Sequence, residues 1–248
     1  LWLIREGMSA SYPVEIRDVK FEPNHAVFHV ASRSIQHRGE TLGGTLFTIT
    51  VTAPMEDVLS VRIEHHTGKK NRSPSFHLSQ QEGKMNVGET SDDYSITSGG
   101  LKLELRKKNG WYARFSNSTG LLADSAFRNL GLFSQSGETE GEYWFNKHQK
   151  YRTYLREELS LGVGERIYGL GERFTPFVKN GQVVEIWNED PGTGSEQTYK
   201  NIPFYISNRG YGVLVNHTGK VSFEIGSEKV SRVGFSVPGE SLEYLFIN

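Results

Sequence analysis

The chain has 248 residues, 28 Lys and Arg against 29 Asp and Glu for a formal net charge of −1, and no Cys. The length fits one all-β domain, or at most two smaller domains, and is enough to bury roughly 70% of the unfolded surface without staples. The missing Cys excludes a disulfide scaffold, a thiolate zinc site and a cysteine nucleophile. The balanced charge removes the case for nucleic acid or an anionic membrane as partner.

Apolar residues make up 36% of the chain, a globular share once the 27 Gly are added. No apolar run approaches the roughly 18 residues of a membrane span. Leu1-Trp2-Leu3-Ile4-Arg5 has no basic lead and no long apolar core, so it is not expected to be a signal peptide.

Period-two alternation begins at Val14-Glu15-Ile16 and Val19-Lys20-Phe21, turns at Pro23-Asn24, and returns over residues 26–31. Residues 47–51 and 61–64 predict two further half-buried strands. Residues 79–95 form the most polar stretch and are expected to be a loop between two subdivisions of one sandwich. Next comes the clearest hairpin. Leu101, Leu103 and Leu105 alternate with Lys102, Glu104 and Arg106, and Asn109-Gly110 is the pair favoured where both central turn residues need positive φ. Trp111, Ala113 and Phe115 lead back to a turn at residues 117–120.

Residues 125–130 allow a turn or two of helix, and no other segment has helical period. Residues 203–207, 211–216, 221–225, 233–237 and 242–247 then predict five short strands, separated by Arg209-Gly210, Thr218-Gly219 and Pro238-Gly239. Turns about every ten residues predict a sandwich of antiparallel sheets. The absence of strand–helix alternation excludes a Rossmann fold or a TIM barrel for this segment.

Metal-ligand spacing is absent. His25 and His29 are four apart, which on a strand separates them by roughly 13 Å, and His65-His66 point to opposite faces. Gly162-Val163-Gly164 and Gly169-Leu170-Gly171 lack the third Gly and the helix of a phosphate loop, and predict sharp bends where backbones approach closely. The adjacent acids Asp92-Asp93, Glu157-Glu158 and Glu189-Asp190 do not form the facing pair that glycoside cleavage needs.

One segment carries a binding signature. Residues 168–205 hold Trp187, six further aromatics (Tyr168, Phe174, Phe177, Tyr199, Phe204, Tyr205) and the polar loop 188–195. Aromatic faces stack on the apolar faces of sugars, while Asp and Asn take hydroxyl contacts.

The run Ile167-Tyr168-Gly169-Leu170-Gly171-Glu172-Arg173-Phe174 resembles the Y-G-L-G-E-R-F run of glycoside hydrolase family 31. The resemblance continues through residues 184–190, 196–205, 208–217 and 221–231, and more loosely through Trp2-Leu3-Ile4 and residues 61–65. Together these resemble the bacterial α-xylosidase branch. The resemblance implies an all-β fold, a large antiparallel β-sandwich of the galactose mutarotase-like supersandwich type. Residues 1–248 would then be the N-terminal domain of a larger retaining glycosidase.

In that family the nucleophile and acid/base are aspartates of a (β/α)8 barrel, expected after residue 248, so no residue of this chain is expected to be catalytic. The implied partners are an oligosaccharide substrate and the chain's own barrel, with a homo-oligomer of the full-length enzyme also expected. No cofactor is implied. A sandwich loop would reach the leaving-group sugar, and the matching positions make Asp190 the candidate hydroxyl-binding carboxylate, with Thr193 and Tyr199 as further substrate-binding candidates. Glu172 and Arg173 are expected to form an ion pair tying the 169–171 bend to a neighbour. A cytoplasmic location is the expectation. A free-standing carbohydrate-binding module and a mutarotase-like sugar enzyme are the alternatives.

Overall fold

The computed structural model describes residues 7–66, 74–76, 78, 83–136, 151–188 and 199–248. The strands β1 (Met8–Ser11), β2 (Glu15–Glu22), β3 (His25–Ala31), β4 (Leu46–Met55), β5 (Val58–Glu64), β6 (Asn86–Glu89) and β7 (Asp93–Ser98) come first. They are followed by β8 (Leu101–Arg106), β9 (Ala113–Asn117), β10 (Gly120–Ser125), β11 (Gly131–Ser136), β12 (Tyr151–Ser160) and β13 (Ile167–Gly169). The last six are β14 (Gln182–Ile186), β15 (Phe204–Ser207), β16 (Gly212–Val215), β17 (Val221–Ile225), β18 (Arg232–Pro238) and β19 (Ser241–Ile247). A short 3-10 turn at Arg38–Thr41 interrupts the pattern.

These strands form three antiparallel sheets. The eight-stranded sheet runs β13-β15-β16-β19-β5-β4-β3-β2, the six-stranded sheet β1-β11-β12-β18-β17-β14, and the five-stranded sheet β10-β9-β8-β7-β6. Two links bring β10 alongside the six-stranded sheet. Asp124 N donates to Ser160 Oγ at 2.9 Å, and Arg232 pairs with Asp124 at 2.9 Å. The two smaller sheets thus act as one layer facing the larger one.

Alternation explains the core. Phe28 and Val30, Phe47, Ile49 and Val51, and Tyr244 and Phe246 come from the inner face of the large sheet. Phe115, Leu155, Leu159, Phe223 and Phe235 come from the opposite layer, and all are buried. Ring packing crosses the gap. Phe115 stacks on Phe246 with centroids 4.1 Å apart, and Phe235 meets Tyr244 edge-on at 5.2 Å.

The hairpin expected around Asn109-Gly110 is present, with φ of +64° and +93° at the two turn residues. Two expectations need correction. Residues 126–130 form turns and no helix, because β10 continues through Ser125. The polar stretch 79–95 is not simply a loop: it contains β6 and opens β7, with residues 79–82 outside the described set. β6 is an edge strand bonded only to β7, so its side chains Asn86, Val87 and Glu89 remain exposed and give no apolar alternation. The stretch does lead the chain from the eight-stranded sheet into the five-stranded one.

Glu157 and Glu158 are both buried, on opposite faces of β12. Glu158 is met by Lys229 at 2.7 Å and Arg156 at 3.4 Å. Glu157 shares the inner face with Leu155 and Leu159. Its Oε1 accepts from Ser125 Oγ at 2.7 Å and from the Glu158 amide at 2.9 Å. Trp111 Nε1 in turn donates to Ser125 Oγ at 3.1 Å. Burial pushes the Glu157 carboxyl up to about 8 from its ordinary 4.5, against the opposing pull of those two hydrogen bonds.

The folded protein therefore holds a proton that the unfolded chain releases above pH 4.5. The contribution of Glu157 to stability is most favourable below that pH and declines as pH rises toward 8. Glu157→Gln should remove this slope, worth at most about 1.4 kcal/mol per pH unit. Urea midpoints at pH 5, 7 and 9 check it: the variant should gain on the parent as pH rises, and parallel curves would show that Glu157 ionises freely.

Candidate functional site

The segment between β13 and β14 opens with three consecutive left-handed residues, Gly169 at φ +108°, Leu170 at +64° and Gly171 at +80°. A Cβ at Gly169 would stand 2.7 Å from the Phe204 carbonyl oxygen, and one at Gly171 would overlap the Lys200 carbonyl oxygen. Both positions need glycine because two backbones meet there. Leu170 holds its strained conformation because its side chain is fully buried in the core. Leu170 N donates to Phe204 O at 2.8 Å and Glu172 N to Lys200 O at 2.9 Å. The close approach expected at Gly169-Leu170-Gly171 is thus present.

Arg173 ties this bend to both sheets. Its Nη2 donates to the carbonyl of Glu185 on β14, at the edge of the six-stranded sheet, at 2.7 Å. The same nitrogen donates to Asn201 Oδ1, just ahead of β15 of the eight-stranded sheet, and Nε reaches Leu170 O at 3.4 Å. Asn201 Nδ2 then donates to Asn188 Oδ1 at 2.7 Å. The outgoing and returning legs of the 188–201 connection are therefore joined at their base.

Among the described residues, the expected ion pair takes a different form. Glu172 pairs with Lys200 at 3.7 Å on the surface, and Arg173 makes the tie through carbonyl and amide oxygens. Glu185 lies on the edge strand β14, where a backbone carbonyl needs a donor, and Arg173 supplies it.

A second anchor lies along the same flank. The buried Lys179 donates to Thr175 Oγ1 at 3.1 Å and to Pro176 O at 2.9 Å, while its backbone N bonds Ile167 O at 2.8 Å. Burial, reinforced by the charge of Arg173, lowers its pKa from the ordinary lysine value. The strap so fixed presents Phe174 and Phe177 outward, at 81% and 77% exposure. Tyr168 packs against Phe177 at 5.2 Å. Trp187 is half-exposed and Ile202 exposed on the neighbouring legs.

Of the three substrate-binding candidates, Tyr199 lies among the described residues and is 76% exposed, on the returning leg of the tied connection. Asp190 and Thr193 lie outside the described residues, as does the acid Glu189. No group of three His, Asp or Glu side chains able to hold a metal occurs among the described residues. Sequence reasoning singled out Asn188 only as the first residue of the 188–190 turn, and Asn201 not at all. Their signal was present in the polar residues flanking the aromatic loop, but their pairing depends on the meeting of two distant segments.

The comparisons with known proteins agree with this architecture. A family profile described as the glycosyl hydrolase 31 N-terminal galactose mutarotase-like domain matches residues 48–224. The chain is 41% identical over 246 residues to the alpha-xylosidase XylQ of Lactiplantibacillus pentosus, covering 99% of this chain and 31% of the relative. It is 39% identical over 256 residues to an alpha-xylosidase of Emericella nidulans, covering 100% of this chain and 33% of that protein. The chain thus spans about a third of the length of these curated relatives. Among solved structures, the cycloalternan-forming enzyme of Listeria monocytogenes, in complex with a pentasaccharide substrate, superposes with a TM-score of 0.72. That match has 18% identity and covers 97% of this chain and 21% of that one, a likeness of fold. With the profile matched over most of its length and the sandwich in place, this chain belongs to the glycosyl hydrolase 31 N-terminal galactose mutarotase-like domain family.

Proposed function

We propose that this chain is the N-terminal domain of an α-xylosidase that hydrolyses α-xylosides in oligosaccharides, and that it works by supporting the catalytic portion and completing the subsite for the leaving-group sugar. The observation that carries this reading is the tied base of the 188–201 connection. Arg173 bonds the Glu185 carbonyl on the edge strand β14 and the Asn201 side chain, and Asn201 bonds Asn188, so the two legs are joined at their base. Binding loops are carried on rigid elements, and the ties at Asn188 and Asn201 supply that support. The two alpha-xylosidase relatives, each about three times as long, support the choice of reaction.

The exposed Phe174, Phe177 and Trp187 belong to the surface that meets the rest of the enzyme. Side chains of that size are left in water where another surface covers them. Asp190 is the hydroxyl-binding carboxylate in this reading, with Thr193 and Tyr199 as further substrate-binding residues. The aspartates that break the bond belong to the barrel expected after residue 248. The whole protein binds an oligosaccharide, and the domain acts in the cytoplasm.

Three outcomes test the proposal. The 248-residue chain alone should turn over an aryl α-xyloside no faster than buffer; a rate that copurifies with the folded chain would place the chemistry on the sandwich. In the full-length enzyme, Asp190→Ala should lower kcat/KM more for a disaccharide than for a small aryl xyloside, since only the disaccharide fills the leaving-group subsite. Equal losses on both would remove Asp190 from that subsite. Arg173→Ala should cost about 2–3 kcal/mol of stability by removing hydrogen bonds from a charged donor, measured by denaturant unfolding of the chain. It should also reproduce the disaccharide-selective loss of Asp190→Ala in the full-length enzyme.

A further inference from the structure

The outward face of the eight-stranded sheet carries a polar cavity of about 400 Å3, beginning three strands in from the β13 edge. Pairing across the sheet sets its floor in two rows. One row is His25, Thr52 and Ser60; the other is Thr50, Arg62 and Glu243. Neighbouring strands are about 4.8 Å apart, so each row presents polar groups at regular intervals.

One wall is made by Ala53 and Pro54, where the register of β4 against β5 shifts between Thr52 and Met55. Bulges of this kind redirect side chains and recur beside binding sites. Gly83 closes the same wall. Its N donates to Ala53 O at 3.0 Å, and a Cβ there would lie 2.7 Å from the Met55 backbone.

The carboxylate in the floor is held in place. The buried Ser60 donates through Oγ to Glu243 Oε1 at 2.7 Å, and Asn216 Nδ2 donates to Glu243 Oε2 at 2.9 Å. Each carboxylate oxygen keeps a further lone pair for a ligand. Arg62 uses Nη2 to meet Glu64 at 2.8 Å, and its side chain is half-exposed. A solvated sheet face does not require a carboxylate fixed at both oxygens by neutral donors.

The chemistry narrows the ligand. Among the described lining residues the charged side chains are Arg62 and Glu243, a balance that gives no net attraction for phosphates or carboxylates. No aromatic ring lines the cavity among the described residues, so none of them stacks on a nucleobase. A guanidinium and a carboxylate side by side, with Thr50 and Thr52 hydroxyls beside them, offer paired donors and paired acceptors suited to vicinal hydroxyls. The volume sits at the small end of ligand sites.

We propose that this cavity binds a neutral mono- or disaccharide, at a site separate from the 188–201 connection. It does not depend on the leaving-group reading, because it uses a different face and different residues.

Calorimetric titration of the 248-residue chain with xylose, glucose and maltose tests it, with inorganic phosphate as a further titrant. At least one sugar should bind saturably. Arg62→Ala and Glu243→Gln should each weaken that binding tenfold or more, while Lys102→Ala, on the five-stranded sheet, leaves it unchanged. Far-ultraviolet circular dichroism and melting curves identify any variant that fails to fold, and the exposed position of Arg62 makes its replacement the safer of the two. Absence of sugar binding by the folded chain overturns the proposal. So does binding that Tyr199→Ala abolishes and Arg62→Ala leaves intact, since the sugar would then sit on the aromatic segment. Phosphate that binds and displaces the sugar would overturn the neutral-ligand assignment.

Discussion

Phe246 lies between Phe115 and Tyr211, with ring centroids 4.1 and 4.9 Å away and the rings nearly parallel. Phe115 belongs to the five-stranded sheet and Phe246 to the eight-stranded one, so this stack is a direct bond between layers. Phe235 against Tyr244 and Phe223 against Tyr205 repeat it for the six-stranded sheet. Large rings meeting edge-on or offset fill the space between pleated surfaces and oppose sliding. With the layers held in register, the free edges β13 and β14 come to the same flank, and Arg173 can span them. The tied connection depends on that registration.

The same constraint explains why polar groups sit so deep. A layer held at fixed spacing has positions that no apolar residue fills, and Glu157 occupies one beside Trp111 and Ser125. Glu165 occupies another, accepting from Tyr211 OH at 2.7 Å and from the Gly162 amide at 2.7 Å. Each buried carboxyl is matched with hydrogen-bond donors, as burial demands. Glu157 keeps its proton at neutral pH. Arg209 lies 3.5 Å from Glu165. The core is therefore specified by donor placement as well as by volume.

Legibility in the sequence followed exposure to water. β3, β4, β5, β8 and β19 have one face in the core and one outward, and their alternation is plain. β12 was hidden, although it lies inside its sheet and carries ten residues. Its Arg156, Glu157 and Glu158 are all buried, so charge appears where an apolar residue would mark a strand. Those charges are tolerable only because Lys229, Glu228, Ser125 and the Phe133 ring arrive from elsewhere in the chain. β14 was likewise visible only as part of a family-like run, since its outward Val183 breaks the alternation.

By itself, the sequence determined the strand-rich architecture, the turns at Asn109-Gly110 and Gly169-Leu170-Gly171, the family, and the absence of thiol chemistry. These are local properties: period two, positive φ and residue type act within a few residues. Tertiary structure alone decided that Arg173 bonds carbonyls rather than Glu172, that Asn188 meets Asn201, and that Glu243 is fixed between Ser60 and Asn216. Each of these joins segments that only the packing of the sheets brings within hydrogen-bond distance, and such a contact leaves no periodic trace in the chain.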